Sequence, residues 1–526
     1  MKATDVLVQC LENEGVEYIF GIMGKETLDL VDSLSRSKIQ FVNTRHEQGA
    51  AFMADVYGRL SHKAGVCLST LGPGATNLLT GIASANLDFS PVVAFIGQAG
   101  LERQHKESHQ YLDLVKMFEP ATKWSVQIKD SLTIAEVVHK AFRTAKMEKS
   151  GAVIIELPEN LAAQKITDNA MADAPLPACM PVKEQIQEAI DQINNSQKPF
   201  IIVGNGAIRG NAAEEVQELI ARLQAPATHS MKAKGILPKG NPYNYFTFGF
   251  NEQDEVLPGI EEADLLIVLG FDFVERLPKE WNKKKVPVIH IHAVPAESDE
   301  YYPIKSELVG DIKRTLQAFN VLKIEPKPWQ PSGNLREKIK QAYHLNEETY
   351  SSLSITSMLQ AIEKRVSDQT IVLSDVGSHK VSIARTYQPK KPGSLIMSNG
   401  LASMGIAIPG AIGAKLACPA HQVICITGDG GALMNFAEIE TAARLGLPFV
   451  IIVLNDSKLK LEEQMMLQSF SNDYGTYFGN PDFVLLAQSF GIKGVRPADL
   501  LEFEGMLDEA LTKSELTLIE MKLGDG

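Results

Sequence analysis

The stretch Gln422-Val423-Ile424-Cys425-Ile426-Thr427-Gly428-Asp429-Gly430-Gly431 decides the fold of this chain. An apolar run of strand length breaks on small residues whose backbone N–H groups can close on a phosphate. A second apolar run, Phe449 to Leu454, ends on Asn455-Asp456-Ser457. Between them Leu433, Phe436, Ile439, Ala443 and Leu445 recur at roughly helical spacing, so the unit reads as strand, helix, parallel strand. Asp429 and Asp456 then stand at the carboxyl edge of one sheet, where open α/β sheets take ligands. Two carboxylates beside a Gly-rich cradle suit a hard divalent cation, Mg²⁺ bridging a diphosphate. A single Asp after a strand ordinarily caps a helix or a turn; the pairing of the two segments favours the metal reading.

With Asp456 twenty-seven residues beyond Asp429, the paired segments resemble the metal and diphosphate motif of thiamine-diphosphate enzymes. The resemblance implies Mg²⁺ held by Asp429, Asp456 and the main-chain oxygen of Lys458, with Gly428, Gly430 and Gly431 at the diphosphate. Only the carbonyl of Lys458 is needed, and its side chain is expected to point to water. Asn455 is expected to support the turn.

Far upstream, Phe41 to Ala51 runs from a strand into a helix with Phe52, Val56 and Leu60 on one face, and Glu47 falls in the first turn. The helix dipole favours an anion there, and a solvated glutamate would satisfy that alone. The segment Arg45-His46-Glu47-Gln48-Gly49-Ala50-Ala51-Phe52-Met53-Ala54, however, resembles the pyruvate oxidase and acetohydroxyacid synthase group. In that group the glutamate carboxyl serves the aminopyrimidine of the cofactor, which makes Glu47 the expected proton relay. Further stretches carry the same resemblance. Leu71 to Asn77, a Gly/Pro turn opening a helix, implies Gly72, Thr76 and Asn77 on the pyrimidine side, and Phe20-Gly21-Ile22-Met23-Gly24 implies Gly21 and Gly24. Met397 to Gly405 implies Ser398 and Asn399 at the cofactor and Met404 as the bulky residue beneath it. Ser108 to Asp113 resembles an active-site loop of catabolic acetolactate synthases, and implies His109 facing substrate and Gln110 on cofactor or substrate carboxylate.

The fold expected is α/β, with three doubly wound parallel-sheet domains at 1–168, 185–325 and 350–526, the linkers being the stretches around Ala170–Pro177 and Pro326–Pro328. A chain of 526 residues accommodates about three such cores. The net charge of −13 argues against nucleic-acid phosphates as partner. Cys10, Cys67, Cys179, Cys418 and Cys425 lack metal-ligand spacing and suit a reducing compartment. No apolar stretch approaches the ~20 residues that span a bilayer, and no signal segment opens the chain, so no membrane partner and a cytoplasmic location are expected. In the middle domain, Val203 to Gly210 follows a strand but lacks the full dinucleotide fingerprint. Leu269 to Arg276 looks closer to the flavin-free catabolic synthases, so FAD is expected to be absent.

The function implied is thiamine-diphosphate-dependent decarboxylation of pyruvate, a 2-keto acid, and joining to a second pyruvate to give 2-acetolactate. A 2-keto acid decarboxylase, a pyruvate oxidase or a non-catalytic nucleotide-binding protein are the alternatives. One departure bears on the acceptor: catabolic synthases carry Gln nine residues past the second metal ligand, where this chain has Met465, with Gln464 before it. The resemblance also implies a homodimer or homotetramer in which Glu47 and Asp429 of one site come from different chains.

Overall fold

The computed structural model describes all residues except Asp168, Asp173, 251–253, 347–349, Ser351 and 524–526. The first domain edge at Asp168, and Asp173 of the first linker, therefore lie outside the described residues. Three six-stranded sheets follow one another, each wholly parallel. The first holds β1 (Tyr18–Gly21), β2 (Gln40–Asn43), β3 (Gly65–Ser69), β4 (Val92–Gln98), β5 (Trp124–Gln127) and β6 (Ala152–Pro158) in the order β2-β1-β3-β4-β6-β5. The second holds β7 (Pro199–Val203), β8 (Ala227–Ser230), β9 (Asn244–Phe248), β10 (Leu265–Leu269), β11 (Val288–His292) and β12 (Ile304–Val309), ordered β12-β11-β10-β7-β8-β9. The third holds β13 (Thr370–Ser374), β14 (Leu395–Met397), β15 (Gln422–Gly428), β16 (Val450–Asn455), β17 (Lys493–Val495) and β18 (Thr517–Lys522), ordered β14-β13-β15-β16-β18-β17. The three-domain α/β architecture expected from the sequence is the one observed. Helices cover both faces of each sheet, which is why central strands such as β4 and β6 are apolar along nearly their whole length and fully buried.

The helices that matter for the site are α1 (Glu47–Ser61) and α2 (Pro73–Leu87) in the first domain, and α3 (Asn205–Arg209) in the second. In the third they are α4 (Ser378–Thr386), α5 (Ala407–Ala417), α6 (Asp429–Met434), α7 (Glu438–Arg444) and α8 (Lys460–Phe470). The single helix expected between β15 and β16 is two, α6 and α7. The break falls at Asn435, which leaves helical dihedrals (φ −132°, ψ 26°) and donates its side-chain amide to the Gly405 carbonyl at 2.9 Å. Register pairs Ile424 with Val450 and Gly428 with Leu454, so the residues after each strand emerge at one edge.

The first and third sheets share a core. Helix α1 lies along α5, and Gly410 permits the approach, since a Cβ there would come within 2.9 Å of Val56. Met53, Val56, Leu373, Ala411 and Ile451 are buried in this common cluster. Among the described residues no disulfide joins the five cysteines; Cys10, Cys67 and Cys425 are buried and Cys179 is exposed. Among the described residues no helix is long and apolar enough to cross a membrane.

Candidate active site

Asp429 opens α6 directly after β15 and is almost wholly buried. Its Oδ1 accepts from Gly430 N at 2.8 Å, and its Oδ2 accepts from Ser457 N and from Asn480 Nδ2, both at 2.7 Å. The glycines around it leave backbone uncovered because nothing larger fits. A Cβ on Gly431 would stand 3.1 Å from the Asp375 carboxylate, and one on Gly430 would stand 3.3 Å from both Met404 Cε and the Phe478 ring. Met404 thus lies against the glycine turn. Asp375 holds this arrangement by accepting from Gly405 N at 2.8 Å and from the Thr427 hydroxyl at 3.0 Å.

Asp456 is half-buried, and burial together with the nearby Asp429 charge pushes its carboxyl above the ordinary range. Ser457 takes a left-handed φ of 58°, and the chain then pairs antiparallel with 476–478. Leu459 N donates to Thr476 O at 2.8 Å, and Phe478 N donates to Ser457 O at 3.1 Å. In such a bridge the N–H and C=O of the central residue, Lys458, face away from the partner strand. The Lys458 N–H bonds the Asp456 carboxylate, so its carbonyl is turned to the Asp456 side. Two neighbouring carboxylates and a carbonyl turned to the same side make an oxygen-rich corner of the kind a hard divalent cation could take. The Lys458 side chain does not point to water. It is buried, with Nζ 3.0 Å from Glu463 Oε1, an oxygen that also accepts from the Tyr477 hydroxyl at 2.9 Å. Glu463 thus neutralises the buried Lys458 ammonium beside these carboxylates.

His379, on α4, is buried with Nε2 finding no partner among the described residues, and burial pushes its pKa down to about 4. Its ring stands 3.5 Å from where a Cβ on Gly428 would lie. A buried unsatisfied ring nitrogen beside a glycine cradle fits a bound polar group, such as a phosphate oxygen, that would complete it.

The second cluster belongs to the first domain. Glu47, only 8% exposed, accepts from Asn77 Nδ2 at 3.0 Å through Oε2. Gly74 leaves room for it, since a Cβ there would lie 3.2 Å from Oε1. Gly72 has a φ of 58° and is backed by Gln110, whose Cβ would be 2.8 Å from a Cβ on the glycine. Glu47, Gly72, Asn77 and Gln110 therefore share one corner, with His109 exposed beside them. Thr76 is exposed and donates to Pro73 O at 3.0 Å. Gly21 and Gly24 are demanded by packing: side chains there would run into Leu68 O and Thr70. Ser398 and Asn399 lie at the meeting point of domains, where Asn399 N donates to Asp88 at 3.1 Å and Lys380 Nζ donates to Asn399 Oδ1 at 2.8 Å. Among the described residues no hydrogen bond joins Glu47 to Asp429 or Asp456.

Sequence models of one enzyme family match all three domains. The thiamine pyrophosphate enzyme N-terminal TPP binding domain matches residues 1–117, the central domain 186–319, and the C-terminal TPP binding domain 375–521. An acetolactate synthase of Bacillus subtilis (strain 168) is 33% identical over 505 residues, which cover 94% of this chain and 88% of that protein. A probable acetolactate synthase large subunit of Methanocaldococcus jannaschii is 33% identical over 551 residues, covering 99% and 92%. The acetolactate synthase isozyme 2 large subunit of Escherichia coli (strain K12) is 30% identical over 532 residues, covering 100% and 96%. This chain belongs to the acetolactate synthase family of thiamine pyrophosphate enzymes.

As a member of this family, the chain places both structural clusters in the domains matched as TPP-binding, Glu47 in the first and Asp429 in the last. Three polar residues of this thiamine pyrophosphate enzyme escaped the sequence reading. Asp375 and His379 sit in Asp375-Val376-Gly377-Ser378-His379, a glycine turn after an apolar strand that repeats the pattern at Gly428 and was readable as a second cradle. Asn480 offered only an Asn-Pro turn signal, and its place on Asp429 depends on a loop returning from fifty-one residues away. On α8, Gln464 and Met465 are both exposed.

Proposed function

We propose that this thiamine pyrophosphate enzyme condenses two molecules of pyruvate into 2-acetolactate with loss of one CO₂, using thiamine diphosphate and Mg²⁺. The observation that carries the cofactor reading is the oxygen donor set of Asp429, Asp456 and the Lys458 carbonyl beside a glycine cradle with an unsatisfied histidine nitrogen. Thiamine diphosphate supplies, when bound, a nucleophilic thiazolium carbon and a sink for the electrons left by CO₂. In this reading Asp429, Asp456 and Lys458 O hold the cation, and the Gly428–Gly431 turn and His379 receive the diphosphate. Glu47, oriented by Asn77, exchanges a proton at its carboxylate with the pyrimidine ring. Met404 supports the cofactor from below, and His109 and Gln110 address the substrate. Burial of Glu47, Asp429 and His379 limits water around them, which favours carbon–carbon joining over protonation.

The middle domain is read as flavin-free because the start of α3 and its arginine are met by carboxylates of the domain itself. Asn205 N, at the start of α3 where phosphates would bind, donates to Glu275 at 3.0 Å, and Arg209 is paired with Asp272 at 2.8 Å. We read the assembly as a homodimer or homotetramer with shared sites. Exposed Met434, Met465, Phe470 and Tyr474 near one cluster, and Met23 and Leu112 near the other, support a covered face. Cysteines without a disulfide among the described residues, three of them buried, support the cytoplasm.

The test is product analysis from pyruvate with Mg²⁺, with and without thiamine diphosphate. Cofactor-dependent 2-acetolactate is expected; acetaldehyde as the main product would replace the synthase by a decarboxylase.

A further inference from the structure

Glu438, the first residue of α7, is buried in the third domain, yet its carboxylate serves the first. Its Oε1 accepts from His46 N at 2.9 Å and from Arg45 N at 3.0 Å, while Oε2 accepts from the Thr441 hydroxyl at 2.7 Å. These are the two N–H groups immediately before Glu47. At the far end of α7, Arg444 donates to the carbonyl of Asn43, the last residue of β2. Both ends of α7 thus grip the loop that launches α1. Gly49 is shaped by the same contact, since a Cβ there would stand 2.5 Å from Glu438 Oε1.

We infer that Glu438 is a positioning residue for Glu47, fixing the entry of α1 through the main chain of Arg45 and His46. The inference rests on the thiamine reading of Glu47. The helical pair α6–α7 begins on Asp429 and ends on this loop. If Glu47 and Asp429 of one chain serve different centres, the pair ties the diphosphate anchor of one centre to the activating acid of the other. The two main-chain bonds need an acceptor rather than a charge, so a glutamine can replace Glu438, with Oε1 kept on the loop and Nε2 donating to Thr441.

The experiment follows exchange of the cofactor C2 proton for deuterium in enzyme loaded with Mg²⁺ and thiamine diphosphate, by quenched-flow NMR, with calorimetric cofactor affinity alongside. Glu438→Ala is expected to slow exchange by about a hundredfold, the order of loss for a displaced catalytic group, with affinity unchanged. Gly49→Ala, which pushes the carboxylate off the loop, is expected to slow it likewise, and Glu438→Gln to retain most of the rate. Wild-type exchange in Glu438→Ala or in Gly49→Ala overturns the inference, as does a Gln variant as slow as the Ala variant. Should Glu438→Ala not fold, Gly49→Ala and Glu438→Gln decide. Absence of thiamine diphosphate binding by the wild-type enzyme would instead remove the thiamine reading itself.

Discussion

Glu47 is oriented by a side-chain bond from Asn77 and by a glycine that leaves it space, directly after a loop held by Glu438. Replacing Glu47 with Gln keeps the shape and removes the proton exchange. Turnover should fall by roughly 10²- to 10⁴-fold with circular dichroism unchanged, and turnover near the wild-type value would remove Glu47 from the chemistry. A second carboxyl tells of stability rather than catalysis. Glu156, buried on β6 and bonded by Gln98, is pushed up to about 7 by burial from the usual 4.5. The folded chain therefore keeps a proton that the unfolded chain releases between about pH 4.5 and 7, and the stability contributed by Glu156 falls as pH rises through that window. The loss amounts to about 3 kcal/mol above pH 7. Glu156→Gln should flatten the pH dependence of the urea midpoint and be relatively more stable at pH 8 than at pH 5; an unaltered slope would show that Glu156 does not titrate there. At this scale Glu47, Asp429 and Asp456 were legible because each lies in a local motif. Asn480 and Glu438 were not, since each acts on residues brought close only by folding.

Elements meet most tightly at Asp88, which follows α2. Its carboxylate accepts from Lys232 Nζ at 2.9 Å, Arg59 Nη2 at 3.1 Å and Gly400 N at 2.9 Å, so one buried group joins all three domains. Burial opposes its charge, yet Lys232 and Arg59 hold it far below the usual carboxylate range. Asp88→Asn leaves the buried Lys232 without its carboxylate partner, while Arg59 keeps Asp55 at 2.7 Å, and should cost about 3 kcal/mol in chemical denaturation. A shift under ~1 kcal/mol would mean the junction tolerates the lost charge. The strands were legible as elements because parallel sheets buried on both faces demand long apolar runs. The break between α6 and α7 was not, because Leu433, Phe436 and Ile439 keep helical spacing across it while Asn435, where the helix breaks, is tied to Gly405, thirty residues away.

For the whole molecule, shared sites make a prediction that no single variant can. Glu47→Gln chains and Asp429→Ala chains, each inactive alone, should recover activity when co-expressed or reassembled, because one of the two sites in a mixed dimer then holds both native residues. Activity after mixing that stays at the level of the separate variants would place each site within one chain. Sedimentation should at the same time find no stable monomer retaining full turnover.

The order of residues along the chain determined the α/β class and the cofactor family and marked the paired glycine–aspartate segments, because strand runs, glycine turns and fixed spacings are local. Tertiary structure alone decided that Lys458 turns inward onto Glu463, that Asn399 sits on Asp88, and that Glu438 reaches the loop before Glu47. The last two of these contacts join residues hundreds of positions apart, and the first is set by a strand bridge to Tyr477; burial and hydrogen-bond satisfaction, which no local pattern encodes, select all three.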